Sequence, residues 1–151
     1  MFPFIFKLSG KNLLFIGGGN VAKRKIESII AWSNPEITII SKELHPSLQQ
    51  LLEKHHIKWI QSSFDEKLIS ENYDFAFICT NDKSANEQAA TILKRLNILV
   101  NICDNKELSD FYMPAVISYN DIMISISTKG DSPALSKKIK EILSEKLKGD
   151  E

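Results

Sequence analysis

An α/β fold, a doubly wound parallel sheet followed by a small β-hairpin and a helix, is predicted by three features of the sequence. Apolar runs of strand length alternate with stretches of helical apolar spacing, in the order β-α-β-α-β-β-α-β. These runs are continuously apolar, as in parallel strands that are buried on both faces and joined by right-handed crossovers. After Pro114 the pattern changes to two short strands and one long helix.

In the first half of the chain, short apolar runs bounded by turn residues indicate strands. The predicted strands cover 4–8, 12–16, 36–40 and 57–60. Two stretches in which apolar residues recur on one helical face separate the later strands. These predicted helices begin at Asn20 and at Pro46, and Asn34-Pro35 follows the end of the first.

In the second half, two more buried strands precede the change of pattern. Apolar runs within 73–82 and 98–102 each end in polar residues, and a helix is predicted between them over 83–96. Residues 115–119 and 121–128 then read as a hairpin. Ser132 is an N-cap residue followed by proline at the first helical position, so the last helix begins there.

Composition and charge narrow the class of protein. The 151 residues are 43% hydrophobic and 25% charged, with a formal net charge of zero, which gives no indication of a nucleic-acid or membrane partner. The apolar N-terminal stretch is too short to span a membrane and lacks the features of a signal peptide. Cys79 and Cys103 have no metal-ligand spacing, so we expect reduced thiols, no metal site and a cytoplasmic protein.

The strongest functional motif is the glycine-rich turn in "LLFIGGGNVAKRK". Gly17, Gly19 and Ala22 match G-x-G-x-x-A directly between a strand and a helix, which is the context of a dinucleotide-binding turn. The first glycine permits the tight turn, the second lets the backbone approach a pyrophosphate, and the helix N-terminus attracts the anion. A glycine turn without a ligand is the alternative.

From this motif and the order of the predicted elements, we predict a Rossmann-like NAD-binding domain over 1–113 and a hairpin-and-helix segment over 114–151.

The usual acidic residue that binds the ribose is missing. Ser41 and Lys42 end the strand where aspartate or glutamate would normally stand. Ser41 can bond a ribose hydroxyl and Lys42 is compatible with a 2′-phosphate, so the choice between NAD and NADP stays open. The alternative is that Ser41 only caps the strand end.

Polar residues also end the two later strands, at the edge where the glycine turn is expected. Thr80 and Asn81 follow one strand, and Asn101 and Asp104 follow the next. Ligands of doubly wound sheets bind outside the carboxyl ends of the strands. Asp104 is therefore a candidate proton acceptor, and the alternative is a carboxylate that caps a turn through backbone amides.

A basic cluster, Lys23, Arg24 and Lys25, falls in the first turn of the helix that follows the glycines. Positive charge is unfavourable there because it opposes the helix dipole. An anionic partner would explain it, and a solvated helix face is the alternative.

Taken together, these segments resemble the precorrin-2 dehydrogenase/sirohydrochlorin ferrochelatase domain of siroheme synthases. The resemblance is carried by "GKNLLFIGGGNVAKRK", "FICTND" with Asn86 following, "VNICD", "DFYMPA" and "IMISISTKGDSPALSKKIKEIL". It implies oxidation of precorrin-2 to sirohydrochlorin with NAD, on the way to siroheme or cobalamin. It also implies that some members insert ferrous iron.

The resemblance further implies roles for single residues. Asp104 would be the catalytic carboxylate. The dinucleotide would be lined by Gly17, Gly19, Asn20, Val21, Ser41, Lys42, Thr80, Asn81 and Asn101. Because such a substrate carries many carboxylates, we also expect Arg24, Lys25 and Lys129 to bind it. Members are homodimers, and the hairpin over 115–127 and the helix after Pro133 would form much of the interface.

The sequence departs from the family pattern at three places, and the first of these departures favours a second hypothesis. Family members continue past the "SPAL" helix into a further helical domain, whereas this sequence ends at Glu151. The family's "STGG" appears here with Lys129 at its third position, and Ser136-Lys137 stands where Ala-Arg is common. The second hypothesis is a dinucleotide-binding sensor or partner module of the same family that has lost turnover. Chelatase activity stays open under either hypothesis.

Overall fold

The computed structural model describes residues 2–69 and 73–148, and the chain forms two compact units. The larger unit contains residues 4–111, and the smaller one contains residues 1–3 and 112–151. Within the described ranges, every helix is too short or too polar to cross a lipid bilayer.

The larger unit is a five-stranded parallel sheet with helices on both faces. Its strands are β1 (Asn12–Ile16), β2 (Glu36–Ser41), β3 (Lys58–Gln61), β4 (Phe75–Ile78) and β5 (Leu99–Ile102). Its helices are α1 (Asn20–Ile30), α2 (Pro46–Lys54) and α3 (Lys83–Arg95), with a 3₁₀ turn at Glu66–Leu68. The strand order is β3-β2-β1-β4-β5, and every pairing is parallel. The predicted doubly wound fold is confirmed.

The direction of winding reverses between β1 and β4, which are neighbours in the sheet. The chain runs outward from β1 through β2 to β3, and then returns to place β4 and β5 on the other side of β1. A crevice at the carboxyl ends of the strands is expected at such a switch point. The glycine turn after β1 and the polar residues after β4 and β5 all lie at that edge.

Each face of the sheet is buried by the apolar stripe of a helix. On one face, Ile16, Ile78 and Ile102 pack in a cluster with Ala89 and Leu93 of α3. On α1, the fully or nearly buried residues are Ala22, Ile26 and Ile29, at the helical spacing expected from the sequence. Phe15 and Phe77, from neighbouring strands, stack with ring centroids 4.6 Å apart. This two-sided burial explains why the strands read as continuous apolar runs.

The strand predicted over 4–8 is wrong. These residues form no strand, and Phe4, Ile5 and Phe6 remain exposed. A strand needs a neighbouring strand to bond its backbone groups. The edge strands of the sheet are β3 and β5, and residues 4–8 pair with neither of them. Phe6 is instead held by an edge-to-face contact with Phe75, with centroids 5.3 Å apart.

The smaller unit is an antiparallel hairpin with one helix. Strands β6 (Ala115–Tyr119) and β7 (Ile122–Ile126) pair through a turn in which Asn120 has φ +49°. Helix α4 (Pro133–Lys148) begins as expected, because the Oγ of Ser132 accepts a hydrogen bond from the backbone N–H of Leu135 at 3.3 Å. The predicted hairpin and the start of the last helix are both confirmed.

Asp74 joins the starts of β1 and β4, and this gives a testable contribution to stability. Its carboxylate accepts hydrogen bonds from Lys11 Nζ at 2.8 Å and from the backbone N–H of Asn12 at 2.9 Å. The Lys11 bond, and then the Asn12 bond, lower the pKa of Asp74. Its contribution is therefore present above the unfolded-state pKa and is lost as the pH falls through the lowered folded-state pKa.

Asp74→Asn is expected to lower the free energy of unfolding at neutral pH by roughly 0.5–1 kcal/mol, a modest value because the pair is partly exposed. Urea unfolding of wild type and variant at neutral and at acid pH measures this difference. The deficit should disappear at acid pH, and an equal deficit at both pH values would contradict the role assigned to the charge.

Candidate functional site

The glycine turn after β1 passes directly beneath the end of β4. Gly17 has φ +100°, which side chains rarely adopt, and a Cβ atom there would lie 2.6 Å from the carbonyl oxygen of Cys79. The turn is fixed on its other side, because the N–H of Gly17 donates to the carbonyl oxygen of Ile40 at 2.8 Å. Gly17 is therefore required by the close approach of two backbones.

Gly19 serves a different purpose, because it faces open space. It is the N-cap of α1, with extended backbone angles and no side-chain cap, and a Cβ atom there would meet no atom within 4 Å. The N–H groups of a helix's first turn lack intrahelical partners, and α1 has no acidic residue in that turn. An open, uncapped helix N-terminus of this kind fits a pyrophosphate group.

A cavity of about 910 Å³ opens beside this turn at the switch point. Its volume lies within the range of small-molecule and cofactor sites. Every residue predicted to line the dinucleotide, except Asn101, lines this cavity: Gly17, Gly19, Asn20, Val21, Ser41, Lys42, Thr80 and Asn81. The residues present therefore fit a dinucleotide.

Ser41 lines this cavity and is buried. Its Oγ accepts a hydrogen bond from Trp59 Nε1 at 3.1 Å, and the same indole N–H lies 3.2 Å from the Ser41 carbonyl oxygen. Because the indole occupies an acceptor position of the hydroxyl, the hydroxyl proton is available for donation to a ligand. Ser41 is thus oriented by β3.

Asn101 lies outside the cavity, although the resemblance implied that it lines the dinucleotide. Its side chain is buried between α1 and the segment that follows β5. The Oδ1 atom accepts from Lys25 Nζ at 2.8 Å, and Nδ2 donates to the carbonyl oxygen of Phe111 at 2.8 Å. In this position it joins the helix to the segment around Phe111.

The three residues expected to bind substrate are in different environments. Arg24 is exposed on α1, and Lys129 is exposed in the smaller unit, with φ +56°. Lys25 is instead packed inward, with Nζ 5.8 Å from the ring centroid of Phe77, and desolvation lowers the pKa of its ammonium group. The basic cluster read from the sequence thus contains an exposed cation, Arg24, and a half-buried one, Lys25.

Cys79 and Cys103 lie side by side at the ends of β4 and β5. Both thiols are free, and the Sγ of Cys103 donates to the carbonyl oxygen of Ile78 at 2.8 Å. A hydrogen bond between the two thiols, followed by burial, raises the pKa of Cys79, and the same bond lowers the pKa of Cys103.

In the parts of the chain that the structure describes, no cluster of acidic, histidine and cysteine side chains could hold a metal ion.

Asp104 lies in the turn after β5 and is exposed. One of its oxygens, Oδ1, accepts a hydrogen bond from Asn86 Nδ2 at 3.2 Å. Asn86 Nδ2 also donates to the carbonyl oxygen of Thr80 at 3.1 Å, and Asn86 Oδ1 accepts from Thr80 Oγ1 at 2.5 Å. A carboxylate is thereby connected to Thr80, which lines the cavity.

Sequence reasoning did not assign Asn86 to the site, although a readable signal was present. The buried residues of α3 are Asn86, Ala89, Ala90 and Leu93. Their spacing defines one helical face, and an amide on an otherwise apolar buried face requires hydrogen-bonding partners.

Comparison with known proteins supports the dinucleotide site. The NAD_binding_7 family, described as NAD(P)-binding, matches residues 4–115. A solved structure of SirC, precorrin-2 dehydrogenase, superposes with a TM-score of 0.78 at 27% identity, covering 97% of this chain and 71% of that one.

Similar sequences carry two names. A siroheme synthase of Psychrobacter sp. (strain PRwf-1) is 35% identical over 136 residues, which cover 90% of this chain and 28% of that protein. A precorrin-2 dehydrogenase of Bacillus subtilis (strain 168) is 29% identical over 150 residues, covering 99% of this chain and 91% of that protein. The chain thus spans less than a third of the siroheme synthases it matches. These relatives confirm the resemblance drawn from the sequence, and the match over 4–115 shows that this chain belongs to the NAD_binding_7 family of NAD(P)-binding proteins.

Proposed function

We propose that this chain is an NAD-dependent dehydrogenase that oxidises precorrin-2 to sirohydrochlorin. The names of its relatives support this activity, and one observation in the chain itself carries it. The carboxylate of Asp104 is tied through Asn86 to Thr80, at the edge of a dinucleotide-sized cavity. A proton acceptor and a hydride acceptor can therefore be held at the same edge of the sheet.

The residues that would hold the dinucleotide follow from the geometry of the cavity. The pyrophosphate would lie against Gly19 and the first N–H groups of α1, and Ser41 would donate its hydroxyl proton to the ribose. When bound, NAD supplies the acceptor for the hydride that leaves the substrate. The protein binds and orients NAD and the substrate together, so that their reaction becomes effectively unimolecular.

Asp104 would complete the oxidation by removing the proton. Loss of two hydrogens from precorrin-2 releases one hydride and one proton, and an ionised carboxylate can accept the proton. Asp104 is exposed and so can be reached by a large substrate. A carboxylate of that substrate would pair with the exposed cation Arg24, whereas Lys25 would act indirectly by holding Asn101.

The direct test supplies precorrin-2 and NAD to the purified protein and follows the absorbance of sirohydrochlorin. NAD binding is measured in parallel by calorimetry. Turnover supports the dehydrogenase, whereas tight NAD binding without turnover would favour the sensor or partner module. Ferrous ion added to sirohydrochlorin then tests chelatase activity separately.

We also propose that the chain forms a homodimer, in the cytoplasm, through its smaller unit. Apolar side chains of the hairpin and of α4 are exposed in the single chain, among them Ile122 at 57% and Ile142 at 45%. Burying such side chains between two copies would remove them from water, and this stabilises the dimer by about 25 cal/mol per Å² of apolar surface buried. A C₂ dimer would use the same patch on both copies.

Ile142→Glu is expected to convert this dimer to a monomer, because each copy would place a charge in the buried patch. Light scattering coupled to size-exclusion chromatography measures the mass directly. Lys140→Glu, an exposed change two residues before Ile142 and so on another side of the helix, is the control for added charge and should leave the mass unchanged. A wild-type monomer would remove the proposal, and so would an unaltered mass for Ile142→Glu.

A further inference from the structure

We propose that Asn86 is the positioning residue of the site: it holds the Asp104 carboxylate in place and couples it to the wall of the dinucleotide cavity. The inference rests on the proposed function, since Asp104 is the proton acceptor there. It assigns to Asn86 a role that acts through Asp104 and requires no contact between Asn86 and substrate.

The hydrogen bonds of the amide leave it only one orientation. Both acceptors of Nδ2, the Thr80 carbonyl oxygen at 3.1 Å and Asp104 Oδ1 at 3.2 Å, need a donor. The opposite atom, Oδ1, accepts from the Thr80 hydroxyl at 2.5 Å. A reversed amide would place its oxygen against two other oxygens, so the donors must point to Thr80 and Asp104.

The amide is also anchored within the fold. Its side chain is only 1% exposed, and its position on α3 is set by Asp82, whose Oδ1 caps the helix by accepting from the N–H of Ala85 at 3.0 Å. The hydroxyl of Thr80 accepts in turn from the N–H of Asp82 at 3.2 Å. The donor presented to Asp104 therefore comes from a rigid helix, whereas Asp104 itself lies in an exposed turn.

This arrangement suits a proton acceptor. With Oδ1 engaged by the amide, the second carboxylate oxygen has no hydrogen bond from the described residues and is available to the substrate. Burial of an amide on an apolar helix face is unfavourable unless every polar atom is paired, and Asn86 achieves that only by bonding to Asp104 and Thr80. The same amide bonds to Thr80, which lines the cavity, so the carboxylate is held at a fixed distance from the dinucleotide site.

The kinetic test uses two variants of Asn86 and one control. Asn86→Leu removes all the bonds at similar volume, and Asn86→Asp keeps the shape and the acceptor for Thr80 but loses the donors. Both are expected to lower kcat for precorrin-2 oxidation by about 10- to 100-fold, with the KM for NAD unchanged, because misplacement of a reacting group acts on the chemical step. Thr91→Ala, an exposed change on α3 whose hydroxyl bonds to the carbonyl oxygen of Glu87, should keep wild-type kcat. Unchanged kcat in a folded Asn86→Asp would overturn the proposal.

A second measurement does not depend on turnover. Urea unfolding of Asn86→Leu, Asp104→Ala and the double variant forms a double-mutant cycle, which isolates the interaction between the two side chains. Effects on the free energy of unfolding should be non-additive for this pair and additive for Thr91→Ala with Asp104→Ala. Additivity for Asn86 and Asp104 would overturn the positioning role even in an active enzyme. If wild type does not oxidise precorrin-2, the proposed function fails, and the cycle still decides whether Asn86 holds the carboxylate.

Discussion

Replacement of Asp104 by asparagine is expected to lower kcat for precorrin-2 oxidation by about 100- to 10,000-fold, the usual contribution of a general base. The substitution keeps the size of the side chain and an oxygen that can still accept from Asn86 Nδ2. It removes the ability to take a proton at neutral pH. The loss should therefore fall on kcat, measured by steady-state formation of sirohydrochlorin at saturating NAD.

Two companion measurements separate chemistry from binding and folding. Asp104 is not among the residues that line the dinucleotide cavity, so NAD affinity in Asp104→Asn should match wild type by calorimetry. Asp110→Asn is a poor comparison because that carboxylate bonds to Lys94 and Val100, whereas Asp121→Asn changes an exposed acid of the hairpin turn and is the better control. Wild-type activity in Asp104→Asn would keep the enzyme and remove this carboxylate from its mechanism.

Gly19→Asp is expected to weaken NAD binding by at least about a hundredfold while leaving the fold intact. The new side chain would enter the open space where the pyrophosphate is expected, and it would bring a negative charge. The same carboxylate would be a good N-cap for α1, because Gly19 already has extended backbone angles and no side-chain cap. The free energy of unfolding should therefore stay level or rise by a few tenths of a kcal/mol.

Two neighbouring variants make this prediction specific. Gly19→Asn offers a similar cap without the charge and should weaken NAD binding less than Gly19→Asp. Gly17→Ala should instead destabilise the fold by roughly 1–3 kcal/mol, since its Cβ would approach the Cys79 carbonyl oxygen to 2.6 Å at a positive φ. Calorimetry with NAD and urea unfolding measure the two effects. A Gly19→Asp protein that binds NAD as wild type does would refute the pyrophosphate site.

The sequence was sufficient for the sheet and the glycine turn because both depend on local patterns. Continuous apolar runs, helical spacing and the G-x-G-x-x-A motif each fall within a short window, and the parallel order follows from the alternation. The segment at 4–8 shows the limit of that reasoning. Its composition suits a strand, but strand formation also depends on pairing with a neighbouring strand, which no local window records.

Side-chain roles were harder to predict because they depend on which face of an element a residue occupies. Asn101 lies within β5, near the end that reaches the site, but in the register of β4 and β5 it pairs with Phe77, on the face covered by Lys25. Lys25 was grouped with its exposed neighbours by adjacency in sequence. It lies four residues before Ile29, however, and so shares the buried side of α1.

The bond between Trp59 and Ser41 gives the protein an optical signal of its own. Indole emission responds to the hydrogen bond made by Nε1 and to the polarity around the ring, and that bond ends on a hydroxyl in the wall of the cavity. Trp32, the other of the two tryptophans, is 42% exposed beyond the opposite end of α1, about 16 Å from the glycine turn along an 11-residue helix. Occupancy of the cavity should therefore alter the emission of one tryptophan against a constant background from the other, so cofactor binding can be followed by intrinsic fluorescence without a label.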